Sequence, residues 1–245
     1  MARRGAAASP ADSSSPADSS SSPEGGLAVA TETADKRAFA WAIDWPGWCR
    51  SGKTPDLAIE ALLAYRPRYA VVVEAAGSSL PSAAPTAIRL VERLAGGSGT
   101  AFGVPSAIGE SDRRPVSADE AARLVALVTA AWRAFDAVAA AAPSELRKGP
   151  RGGGRDTARI VAHVLEAEAA YATQIGLRLS APAADDEPGR ARSRAALAAA
   201  LAAPSDGGPL AGRRWTQRYA CRRIAWHVLD HAWEIEDRTG PATDR

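Results

Sequence analysis

The sequence predicts a mostly α protein: a four-helix bundle preceded by a small α/β module and a disordered N-terminal tail. Three observations carry that expectation. Of 245 residues, 46% are hydrophobic but only 6% aromatic, and much of the apolar content is alanine. Small apolar side chains suit closely packed helices and give little support to a β-rich fold. From Pro115 onward the apolar spacing is helical throughout, broken only at segments marked by Pro and Gly. Before Arg37 the chain is low-complexity Ser, Pro, Ala and Asp, including a tandem Ser-Pro-Ala-Asp-Ser-Ser. Such a segment cannot bury enough apolar surface to offset its ordering entropy. The expected divisions are a tail over 1–36, an α/β module over 37–108 and the bundle over 115–240.

Order is expected from Arg37. Ala38 to Trp45 is an apolar run suited to a strand, and Pro46-Gly47 supplies a turn. Thr54-Pro55 reads as an N-cap with proline at the first helical position, opening a helix through Tyr65. Pro67 should interrupt it. Tyr69 to Ala76 fits either a second helix or a buried strand, because Val71-Val72-Val73 is ambiguous at that length. A further helix is expected over 86–94, ended by Gly96-Gly97, and a strand over 100–104. In the helical half, Ser117-Ala-Asp-Glu120 has the form of a capping box and opens a helix to Ala141, stopped by Pro143. A basic loop, 147–155, follows. Asp156 should cap a helix to Gly176, an alanine-rich helix should cover 189–203, and the last should run from Trp215 to Thr239, ended by Gly240-Pro241.

Composition narrows the function. A net charge of +2 demands neither a nucleic-acid nor a membrane partner. The two cysteines, Cys49 and Cys221, belong to no Cys-x-x-Cys pattern, so a reduced, cytoplasmic protein is expected. No apolar run reads as a membrane span. Arg3-Arg4 lacks the apolar core that an export signal needs.

The chemistry points to the histidines, of which there are three. His227 and His231 stand at i and i+4 on the last helix, on one face about one turn apart. His163 lies on a separate helix. A third imidazole from a neighbouring helix would complete a set of three, the ligand count of a catalytic zinc-type site that keeps one position open. On a helical wheel with His227 at zero, His231 falls at about +40°, Glu234 at about −20°, Arg238 at about +20° and Arg223 at about −40°. Asp230 and Glu234 are candidates to orient the imidazoles, or equally to pair with Arg223 and Arg238. Glu166, one turn after His163, is the candidate general base or outer partner. Trp226 and Trp233 read as packing anchors. His-Val-Leu-Asp-His lacks the glutamate that a His-Glu-x-x-His protease carries after its first histidine, which disfavours that class.

Helix-borne His163 with the His227-x-x-x-His231 pair on the last of four helices resembles the DinB/YfiT-like superfamily, over about residues 115–240. The resemblance implies a divalent metal, zinc or nickel, held by His163, His227 and His231. It implies a thiol-dependent transferase or isomerase, with a low-molecular-weight thiol as the small-molecule substrate; a homodimer is left open. The segment from Asp44 through Pro46-Gly47 to Gly52-x-Thr54 is similar to the strand–turn–helix of HicB-like domains, without the rest of that pattern. Two other readings of the residues stay open. One is a non-catalytic metal- or small-molecule-binding regulatory module, and the other treats the histidines as pH-sensitive packing residues.

Overall fold

A computed structural model describes Met1 and residues 26–81, 88–148 and 154–239. The expectations for residues 2–25, for Thr86, for the middle of the basic loop with Arg151, and for the Gly240-Pro241 stop lie outside these residues.

Order begins earlier than Arg37. Strand β1 (Leu27–Ala34) turns through Asp35-Lys36 into β2 (Arg37–Ala42), paired antiparallel. The boundary of the expected tail is therefore corrected to before Leu27. Strand β3 (Cys49–Gly52) pairs with β2, and β4 (Ile88–Ala95) runs parallel to β1, giving the order β3-β2-β1-β4. Helices α1 (Pro55–Ala64) and α2 (Arg66–Ala75) occupy the crossover to β4. Thr54 caps α1 as expected, its side chain accepting from Leu57 N. Pro67 sits in the first turn of α2, where its missing N–H costs no helical hydrogen bond.

Two assignments are overturned. The helix expected over 86–94 is strand from Ile88 onward, because Ile88, Leu90, Glu92 and Leu94 alternate with more exposed neighbours along β4. The strand expected over 100–104 is instead a short helix, α3 (Ser98–Phe102).

The helical half holds four helices close to the expected spans: α4 (Ala118–Ala141), α5 (Thr157–Gln174), α6 (Glu187–Leu201) and α7 (Gln217–Thr239). Ser117 accepts from Glu120 N, and the Glu120 carboxylate accepts from Arg218 Nη1 at 2.8 Å, which ties α4 to α7. By length and apolar composition α4 alone among the described helices would suffice to cross a membrane. Here it buries Leu124, Leu127, Val128 and Phe135 in the core and packs along α7. Helix α5 packs on α7, and α6 on α4 and α5.

One apolar core runs through both halves, from Val29 and Leu62 to Phe135, Ile160 and Leu229. Gly47 shows how closely they meet. It holds φ at +96°, and a Cβ there would stand 2.8 Å from Leu229 Cδ1 and 3.0 Å from Ala225 Cβ of α7. Gly52 lets β3 approach α1, since a Cβ would meet Ala58 N at 2.5 Å. Helix α7 thus has the sheet on one side and α4 and α5 on others, which fixes the histidines it carries.

Candidate metal centre

The three histidines come together between α5 and α7. Their ligand nitrogens lie within 4.8 Å of one another, close enough to hold a metal ion. Ring centroids are separated by 5.1 Å for His163–His227, 5.0 Å for His163–His231 and 4.7 Å for His227–His231. The Nε2 atoms of His163 and His227 face each other at 3.3 Å. Two tetrahedral nitrogen ligands at about 2.0–2.1 Å from one zinc-type ion stand about 3.3–3.4 Å apart, so the His163–His227 pair has the spacing such an ion needs.

The surroundings favour neutral, ligating rings. His227 is buried, and burial pushes its pKa well below the ordinary value, with the neighbouring His231 and Arg223 charges adding to the effect. His163 is half-buried and is lowered by the same desolvation, then by the Arg155 charge. His231 Nδ1 bonds Glu234 Oε2 at 2.8 Å, which leaves its Nε2 for an ion. Glu234 is held below the usual carboxylate range, first by that hydrogen bond, and its other oxygen accepts from Arg238 Nη1 at 3.0 Å. A carboxylate on the far nitrogen of a ligating histidine fixes the ring and its tautomer.

Of the residues singled out in the sequence, Glu234 takes the orienting place and Asp230 does not. Asp230 accepts instead from Arg50 Nη1 of β3 at 2.8 Å. Glu166 is exposed on α5, near enough for its charge to act on His163. Trp226 packs edge-on to Phe39 at 6.0 Å and Trp233 to Tyr65 at 5.0 Å, both as anchors. Arg238 also donates to the backbone oxygens of Arg147 and Arg155, pinning both ends of the basic loop beside Glu234.

Tyr171 was not legible as a site residue. Its ring lies edge-on to His227, with centroids 5.6 Å apart. It follows His163 by about two helical turns, a spacing that marks it only once the two helices are docked. Both cysteines are buried and free, and burial raises both thiol pKa values, that of Cys221 to about 12. Neither supplies a thiolate near neutral pH. No family model, no curated protein and no solved structure matches this chain.

Proposed function

We propose that the chain is a divalent-metal-dependent enzyme on a DinB/YfiT-like four-helix bundle, using a low-molecular-weight thiol for a transfer or isomerisation. The observation that carries this reading is the convergence of His163, His227 and His231, with Glu234 on the outer nitrogen of His231. The imidazole set suits zinc or nickel. When bound, such an ion lowers the pKa of a water or thiol at its open position.

The remaining roles belong to the chain. Burial keeps His163 and His227 unprotonated and so able to ligate. Glu234 and Arg238 hold the His231 ring. In this reading exposed Glu166, one turn after His163, serves as the general base. The thiol must come from outside, because Cys49 and Cys221 are buried away as neutral groups.

The test is metal analysis of the purified chain, then assay of the zinc- and nickel-loaded forms against a panel of low-molecular-weight thiols with electrophilic partners. Metal-dependent consumption of a thiol supports the proposal. Retained metal without turnover moves the protein to a non-catalytic metal- or small-molecule-binding regulatory module. Absence of any retained metal leaves the histidines as packing residues.

A further inference from the structure

Arg222 and Arg223 are neighbours on α7, both buried, and only one is neutralised. Arg222 grips Asp112 through two nitrogens, at 3.1 and 2.7 Å, and donates to Ala107 O at 3.0 Å. Arg223 is 7% exposed, and its buried Nη1 has no hydrogen-bond partner among the described residues. It lies against the faces of Tyr171 and Trp226, at 5.1 and 4.6 Å from the ring centres. A buried cation without a counter-charge is costly to desolvate. That penalty is offset when a ligand brings the missing anion.

Arg223 opens onto a cleft of about 510 Å³, within the size range of small-molecule sites. Arg214, Tyr171, Trp215, Tyr219 and Ser106 also line it, and among the described residues no carboxylate does. Part of its wall comes from the α/β half. There the buried Glu32 carboxylate accepts from Ser106 N and Ala107 N, each at 3.0 Å, and from the Thr100 hydroxyl. Tyr219 Oη donates to Ser106 O at 3.3 Å, closing the wall onto α7. The cleft is thus built before any ligand enters, and Tyr171 joins it to His227.

We propose that this cleft binds a small organic monocarboxylate with a flat apolar body, its carboxylate on Arg223 and its body against the aromatic rings. Of the two lining arginines only Arg223 is buried, and its planar fork matches a carboxylate. The site also gives the α/β half a duty, as one wall of the substrate cleft. The proposal rests on the metal-centre reading only for what the bound acid then undergoes. The binding itself belongs to the metal-free protein.

The test titrates benzoate and phenylacetate, with benzamide as the uncharged control, into metal-free full-length protein by calorimetry and tryptophan fluorescence. Saturable binding of at least one acid is expected, with benzamide about tenfold weaker or more. Arg223→Met should weaken the acid by a similar factor and leave the melting temperature equal or higher, since it removes an uncompensated buried charge. Arg214→Gln, at an exposed position, should weaken the acid by a smaller factor that shrinks with added salt. Equal binding of acid and amide, no saturable binding of either acid, or unchanged affinity in both variants would overturn the proposal. Acid binding without zinc retention would sink the enzyme reading and leave the cleft standing. Zinc retention without acid binding would do the reverse.

Discussion

Two of the polar clusters between the described helices, one around Arg194 and one around the histidines, are finished differently. Around Arg194 of α6 the guanidinium is fully used: Nε and Nη2 donate to Glu168 of α5, and Nη1 to both oxygens of Asp136 of α4. Around the histidines the accounting does not close. Two Nε2 atoms face each other, and among the described residues neither the buried His227 Nδ1 nor Nη1 of Arg223, one turn away, has a partner. A closed network ties helices together and offers nothing to a ligand. An open one, in the same helical packing, has donors and acceptors left over for something that is not part of the chain. The contrast separates a closed cluster from one with room for a metal ion.

Breaking the closed cluster should have the largest effect on stability. Glu168→Ala leaves a buried guanidinium with only the half-exposed Asp136, and should cost about 3–5 kcal/mol in denaturant unfolding. Metal retention should be unchanged in whatever fraction stays folded. A cost under about 1 kcal/mol would mean the cluster is not structural.

The open cluster should respond in the opposite way. Glu234→Gln removes the charge that orients His231 and should weaken zinc binding by about 10–100-fold, read by competition with a chelator, with a metal-free stability loss smaller than that of Glu168→Ala. Unaltered zinc affinity would remove Glu234 from the site.

Acid should sharpen the comparison further. His163 and His227 are held below the ordinary imidazole value of 6.5, so the unfolded chain takes up protons first as pH falls. Metal-free stability is then complete above that value and declines as pH drops through the lowered folded values. Glu234, also lowered, adds a loss in the same direction as pH falls below its ordinary 4.5. Thermal melts of wild type and His163→Ala/His227→Ala across pH 5 to 8 (about the range of imidazole titration) should converge as pH falls. Parallel curves would contradict the assigned burial.

The smallest effect expected is that of Arg155→Gln. The Arg155 charge helps depress both histidines, so its removal should move zinc release to slightly higher pH, by about half a unit or less, and only at low salt. A shift that survives high salt would point to a direct structural role for the loop.

The helical half was legible because its cues are local. Capping residues at Ser117 and helical spacing set α4, and the four-residue interval of His227 and His231 placed both on one face of α7. The sheet was less legible because its cues are not. Thr31 and Glu32 make β1 look polar, yet both are buried at the centre of the sheet, with Glu32 satisfied by backbone N–H groups 74 and 75 residues away. In β4, Arg89, Glu92 and Arg93 are good helix formers, and pairing with β1 overrides them. The difference between Arg222 and Arg223 was invisible for a related reason. Neighbours on a helix point about 100° apart, and only the docking of α7 decides which one meets Asp112.

The central claim is that His163, His227 and His231 form one metal site. Its most direct test is metal stoichiometry by mass spectrometry after zinc loading and gel filtration, on wild type and on the three single His→Ala variants, with far-ultraviolet circular dichroism as a folding control. The account predicts one zinc per chain in the wild type, loss of retained zinc in each variant, and helical spectra that match throughout. Zinc retained by any one of the three folded variants as firmly as by wild type, or no zinc retained by the wild type, would contradict it.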